Sequence, residues 1–163
     1  TSIIRKNMDE NEFRTAYHSL NSTRCVYEKS VLTLNCQCQF AAKINIAERE
    51  GIRCGNPSAQ QGCTQFLDTL RQHARFALGI TEVVGNLLPH SKEVQVQKGG
   101  LLGFYPELPN LPETPIDNIF AVLEDARSTY GDSVDDLPYQ QLISSIAHHP
   151  PRTRRRRRKD SRT

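Results

Sequence analysis

Hydrophobic residues recur at helical spacing most clearly from Cys63 onward. Cys63, Phe66, Leu67, Leu70, Ala74 and Ala77 fall on one face, a continuous stripe suited to burial. The ends of this element are also written locally. Asn56 can cap the free N–H groups, and Pro57 sits where its missing N–H costs nothing. Gly79 suits the left-handed position that closes a helix. The spacing therefore predicts a long helix beginning at 56–57 and ending at 79.

The rest of the pattern is less regular. Phe13, Ala16, Tyr17 and Leu20 give residues 9–20 a short amphipathic face, broken by Asn21-Ser22-Thr23. Val31 to Leu34 suits a short extended segment or a tight turn leading into Cys36-Gln37-Cys38. In residues 40–50, Phe40, Ile44 and Ala47 fit a helix, whereas Ile44 and Ile46 alternate as in a strand; helix is the expectation. Residues 80–113 read as loop-rich, with a short strand over Glu93–Gln97 from the alternation of Val94 and Val96. Gly99-Gly100-Leu101-Leu102-Gly103-Phe104 reads as an apolar flexible turn, and Pro106, Pro109 and Pro112 as an extended spacer. A second helix is predicted from Thr114-Pro115, with Asp117 in a capping-box arrangement. Its apolar face is Ile116, Ile119, Phe120, Leu123 and Tyr130, and Gly131 stops it. A last helix runs from Leu137 or Pro138 to Ala147 on Leu142, Ile143 and Ile146. Asp135-Asp136 reads as the capping turn before it.

Taken together, the fold class is mainly α: a small helical domain with short extended segments. Residues 1–105 form a cysteine-rich region. Residues 106–149 form a C-terminal helical pair packed on it, within the same domain or as a small subdomain. Residues 150–163 are a disordered basic tail. With 37% hydrophobic residues, 7% aromatics and no Trp in 163 residues, the core must rest on Leu, Ile, Val and a few Phe and Tyr. Something other than aromatic packing should help to hold the N-terminal half.

The cysteines supply a candidate. All five, Cys25, Cys36, Cys38, Cys54 and Cys63, fall between positions 25 and 63, spaced Cys-x10-Cys-x-Cys-x15-Cys-x8-Cys. Clustered thiols in a chain without a secretion signal point to a metal or iron–sulfur site before a disulfide frame. Four thiolates suit Zn²⁺ or an iron–sulfur cluster. The Cys-x2-Cys knuckle of most structural zinc sites is absent, and so is the Cys-x2-Cys-x2-Cys run of bacterial ferredoxins. The ligands must then come from separate segments. Cys36 and Cys38 have Cβ atoms on one side if their backbone is extended, so either or both could serve. Cys25, Cys36 or Cys38, Cys54 and Cys63 is the expected set, with all five retained as candidates. An iron–sulfur cluster, most simply [4Fe–4S], is the first expectation, zinc the second, and metal-free buried thiols the third.

Cys25-Val-Tyr-Glu-Lys29, Cys36-Gln-Cys38, Ala47-Glu-Arg-Glu-Gly51, Arg75-Phe-Ala-Leu78 and Val96 to Gly103 carry one resemblance. Over residues 24–105 the chain resembles small uncharacterised cysteine-rich proteins of proteobacteria. The resemblance implies a bacterial source and brings no activity with it.

Charge divides the chain. Residues 152–163 hold eight of the 21 basic side chains and one of the 18 acidic ones, leaving 13 against 17 in the remainder. A mildly acidic body and a strongly basic arm usually have different tasks. Arg154, Arg155, Arg156, Arg157, Arg158 and Lys159 can meet an acidic protein partner, an anionic surface or nucleic acid, and can also serve as a solubilising tail. No aromatic residue interleaves them, which speaks against base-specific reading. No apolar run approaches a membrane span, and the opening segment lacks a signal-type hydrophobic stretch, so a cytoplasmic protein is expected. His18, His73 and His90 read as surface or satisfied histidines, while His148-His149 could bind a metal adventitiously and sit between helix and tail, a position that argues against catalysis. No nucleophile elbow, phosphate loop or His-Glu-x-x-His motif is present, and the chain is not expected to be an enzyme on its own. The leading expectation is a cytoplasmic iron–sulfur accessory or electron-transfer subunit whose tail docks a larger assembly. A zinc module binding nucleic acid through the tail and a metal-free interaction protein are the alternatives.

Overall fold

A computed structural model describes residues 17, 19–80, 88–106 and 115–148. The order of elements is α1 (Glu28–Leu32), β1 (Ala41–Ile46), β2 (Arg49–Cys54), α2 (Pro57–Leu78), α3 (His90–Leu102), α4 (Ile119–Tyr130), a 3-10 turn (Val134–Asp136) and α5 (Tyr139–His148). The described residues are thus mainly helical, with one two-stranded antiparallel sheet. No helix among them is long and apolar enough to cross a membrane.

The long helix α2 follows its local signals. The Asn56 side chain accepts from the Ala59 N–H at 3.1 Å, Pro57 is the first helical residue, and Gly79 takes φ 62. Phe66, Leu67, Leu70 and Ala74 are buried as the stripe requires, but Ala77 is exposed. Leu67, Leu70 and Ala74 form a core cluster with Val96 and Leu101 of α3, Ile119 and Leu123 of α4, and Leu142 and Ile146 of α5.

Three expected elements differ. Residues 40–50 are not a helix. They fall within a hairpin in register Ala41↔Cys54 to Ile46↔Arg49, turning through Ala47 at φ 56. The alternation of Ile44 and Ile46 was the informative signal, and the turn lacks the glycine that usually marks it. Residues 93–97 are not a strand, and 99–103 are not a flexible turn: both lie in or at the end of α3. The buried residues of α3 are Glu93, Gln95, Val96, Gln97, Gly99, Gly100 and Leu101, a mostly polar and glycine-rich set that a hydrophobic pattern reports poorly. Gly99 and Gly103 allow α5 to approach closely. A Cβ on Gly99 would stand 2.8 Å from the Ile146 Cα, and one on Gly103 2.9 Å from the Leu142 Cα.

The third difference is the start of α4. Ile116 is paired with the segment before Cys38: Gln37 N–H donates to Ile116 O at 2.7 Å, and Ile116 N–H to Asn35 O at 3.0 Å. This pairing keeps 115–117 out of the helix, which begins at Ile119. Asn118 precedes it, but its side chain is engaged with Gln39 (Nδ2 to Oε1, 2.8 Å) and caps nothing. Val31 and Leu32 belong to α1 rather than to an extended segment, while Leu34 at φ 61 makes the tight turn before Cys36. Gly131 follows α4, and α5 lies within about one residue of its expected span. The amphipathic pattern of 9–20 lies outside the described residues except for Tyr17, Ser19 and Leu20, which are helical. The Pro109 and Pro112 spacer and the basic tail also lie outside them.

Candidate functional site

The backbone brings four cysteines to one place from four segments. Cys54 ends β2, and its N–H donates to Thr23 O at 2.7 Å; Cys25 N–H donates to Ile52 O at 3.0 Å. Residues 23–25 thus run as an added edge beside β2, which sets Cys25 next to Cys54. The Gln60 amide holds the Arg24 carbonyl at 3.1 Å and ties this edge to α2. Cys63 lies in the second turn of α2, one turn beyond Ala59, on the same face. Cys38 follows the Ile116 pairing, and its carbonyl accepts from Ala41 N–H at 3.1 Å as the chain turns into β1.

Cys25, Cys38, Cys54 and Cys63 line a single largely enclosed cavity. Its other walls include Tyr27, Phe40, Ala59, Ile119 and Phe120 and are nearly all apolar. Phe40 and Phe120 meet edge to face, with ring centres 4.9 Å apart, and join the hairpin to α4 beside the thiols. All five cysteines are free. Among the described residues, no three His, Cys, Asp or Glu side chains are grouped closely enough to hold a single metal ion.

Cys36 stands apart. It is fully buried beside Ser30 and Lys98, in a bridge with Ile116, and it does not line the cavity. The one-sided arrangement expected for Cys36 and Cys38 requires an extended backbone through both. The two do not share one site: Cys38 lines the cavity and Cys36 is buried outside it.

Burial pushes the Cys25 and Cys63 thiols up to about 12. The Tyr27 backbone N–H acts in the opposite sense by favouring the Cys25 thiolate, and Arg127 does so for Cys63. Charge on Cys63, Cys38 and Cys54 each opposes charge on Cys25, so the four groups sense one another. In the protein alone Cys25 and Cys63 are neutral near pH 7. A cation binding there would have to displace protons, as thiolate sites do. Four thiols among apolar walls are the donor chemistry that a soft metal or a cluster takes, although they are not grouped as a single-ion site is.

Sequence reasoning missed the polar groups behind the cavity. Arg71 of α2 donates to Glu93 of α3, Gln97 donates to the same Glu93 oxygen at 2.9 Å, and the Ser30 hydroxyl donates to Gln97 Oε1 at 2.6 Å. Tyr27 is fully buried between these groups and the thiols, and its hydroxyl has no hydrogen-bond partner among the described residues. Buried Glu and Arg on separate helices give no local signal; only the polar composition of 93–97 hinted at them. Of the histidines, His73 stacks on Tyr139 at 4.3 Å and His148 Nδ1 contacts Ser144 O, both away from the thiols. No known family model matches this chain, and no curated protein and no solved structure is significantly similar to it.

Proposed function

We propose that this chain is a small iron–sulfur protein in which Cys25, Cys38, Cys54 and Cys63 ligate a [4Fe–4S] cluster. Its role is that of an accessory or electron-transfer subunit. The observation that carries this reading is the convergence of four thiols, from four separate segments, around one enclosed apolar cavity.

Four thiolates from separate segments are the soft donor set that a cluster takes. With Zn–S bonds of about 2.3 Å, tetrahedral ligands hold their sulfurs about 3.8 Å apart. Three thiols at that spacing would form a compact group, and none exists among the described residues. The apolar walls exclude water, and burial together with hydrogen bonds to sulfur sets the potential of such a centre. When bound, the cluster supplies one-electron transfer. The protein supplies the four thiolates, the Tyr27 N–H at Cys25 and the Arg127 charge near Cys63. Arg154 to Lys159 are the proposed docking element for an acidic partner in a larger assembly.

The test is an absorption spectrum of anaerobically purified full-length protein, with iron, sulfide and zinc measured on the same sample. The expected result is a broad band near 400 nm with four iron and four sulfide per chain. One zinc per chain, a flat visible spectrum and no uptake of iron and sulfide on reconstitution would replace this reading with a zinc module.

A further inference from the structure

We propose that β1 is a dimerisation edge: two copies of this chain join by antiparallel pairing of their Ala41–Ile46 strands about a two-fold axis at Ile44, so that one sheet runs through both. This inference does not depend on the iron–sulfur reading.

Along an antiparallel strand, successive residues turn their main-chain groups to opposite sides. Cys54 N–H donates to Thr23 O and Cys25 N–H to Ile52 O, so β2 turns Ile52 and Cys54 toward residues 23–25. Gly51 and Arg53 therefore turn toward β1, where they pair with Ile44 and Ala42. Lys43 and Asn45 are left with N–H and C=O directed away from β2. Ala41 N–H points the same way and is taken by Cys38 O. Among the described residues, nothing pairs with the main chain of Lys43 or Asn45 on this side. Ala42, Lys43 and Asn45 are exposed. An unpaired edge of this kind is a template for another strand.

The residues on the edge select a second copy as its occupant. With Ile44 opposite Ile44 of the second copy, Lys43 stands opposite Asn45 of the second copy, and Asn45 opposite its Lys43. The residues with free main-chain groups thus meet one another and close four hydrogen bonds. Ile44, half-buried in one chain, gains an apolar cross-strand partner, and Ala42 meets Ile46. Charge fixes the register. An axis at Lys43 would set two like charges directly opposite each other. An axis at Asn45 would set Lys43 against Ala47, which leaves the strand conformation at φ 56. Lys43 lies 3.6 Å from Glu50 of its own chain. Because Asn45 pairs with Glu50 in the hairpin, the Ile44 register also places Lys43 in one cross-sheet row with Glu50 of the second copy. The contact uses the same surface on both copies and closes as a dimer.

The experiment is sedimentation equilibrium of the full-length chain over a wide range of concentration, with amide hydrogen exchange followed at both ends of that range. Wild type is compared with Asn45→Lys and with the exchanged pair Lys43→Asn/Asn45→Lys. The expected result is a monomer–dimer equilibrium in wild type, with exchange at the Lys43 and Asn45 amides slowing as the dimer forms. Asn45→Lys sets Lys against Lys twice per dimer and should raise the dissociation constant by about fivefold. The exchanged pair sets Asn against Lys again at equal net charge and should restore it. Wild type that stays monomeric at every concentration would overturn the inference. A dimer indifferent to Asn45→Lys, with both amides exchanging freely, uses another surface and would overturn it too. Slow exchange of both amides in the dilute monomer would show the edge already covered within one chain, with the same consequence. The exchange measurement needs no variant, so the proposal remains testable if Asn45→Lys does not fold.

Discussion

Arg71 on α2 and Glu93 on α3 form a buried ion pair, with Nε and Nη2 at 2.8 and 2.5 Å from the same carboxylate oxygen. Glu93 is fully buried and Arg71 nearly so. Asp68 at 3.0 Å and Gln97 at 2.9 Å extend the pair into a network. Such a pair is costly to desolvate and costly to break. Removing one partner of a buried pair typically costs about 3–5 kcal/mol, whereas replacing both with apolar residues of similar volume can be nearly neutral.

Glu93→Leu and Arg71→Met should therefore each destabilise by about that amount, and the double variant by clearly less than their sum. Urea unfolding of the four proteins measures this. Additive single effects would mean that the pair contributes no coupling.

Gly99 and Gly103 set the distance between α3 and α5. Alanine is favoured over glycine within a helix by about 1 kcal/mol. At these two positions its methyl would meet the Ile146 and Leu142 backbones at 2.8 and 2.9 Å, which side chains cannot relieve. Overpacking of this kind costs about 1–3 kcal/mol and more against backbone, so the clash outweighs the propensity. Gly99→Ala and Gly103→Ala should both lower the thermal midpoint. A rise in either would show that the helices separate freely.

Tyr17 donates its hydroxyl proton to Glu28, accepts from Asn21 at 2.9 Å, and packs over Gly51. Burial, then the Glu28 bond and the Glu28 charge, push its pKa up to about 12. A tyrosine with a raised folded pKa favours folding while neutral. Its contribution is complete below about pH 10 and is lost as the pH rises through about 12. Unfolding free energy should fall across that window, and Tyr17→Phe should flatten the fall while lowering stability at neutral pH. An identical alkaline slope in the variant would remove Tyr17 as the cause.

What could be read from the sequence divides by range. Asn56, Pro57 and Gly79 write the ends of α2 within a few residues of where they act, so that helix was legible. The stripe of α3 was not, because Glu93 and Gln97 are buried by partners on α1, α2 and the cysteine segment, Gly99 and Gly103 by α5, and Gly100 chiefly by Leu70 of α2. The hairpin lacked a glycine turn. The gathering of Cys25, Cys54 and Cys63 was expected from their separate segments. The parting of Cys36 from Cys38 was not legible, because it depends on Ile116, almost 80 residues away, pairing with Asn35 and Gln37.

That parting gives the sharpest prediction about the site. Cys25, Cys38, Cys54 and Cys63 line the cavity, and Cys36 lies elsewhere in the core. Serine at any of the four should cut iron and sulfide content sharply and abolish the visible band, since a hydroxyl is a poor soft-metal ligand. Serine at Cys36 should leave content and spectrum intact and cost only stability, about 1–3 kcal/mol for a buried hydroxyl whose pairing is incomplete. If the proposed cluster is bound, removing it from wild type should loosen the segment from Thr23 to Cys63 first, because binding energy at such a site is folding energy. Hydrogen exchange with and without the cluster would follow this, with slowed exchange at the Cys25, Cys54 and Ala41 amides as the expected sign. Loss of the cluster in Cys36→Ser with retention in Cys38→Ser would reverse the assignment of the ligands.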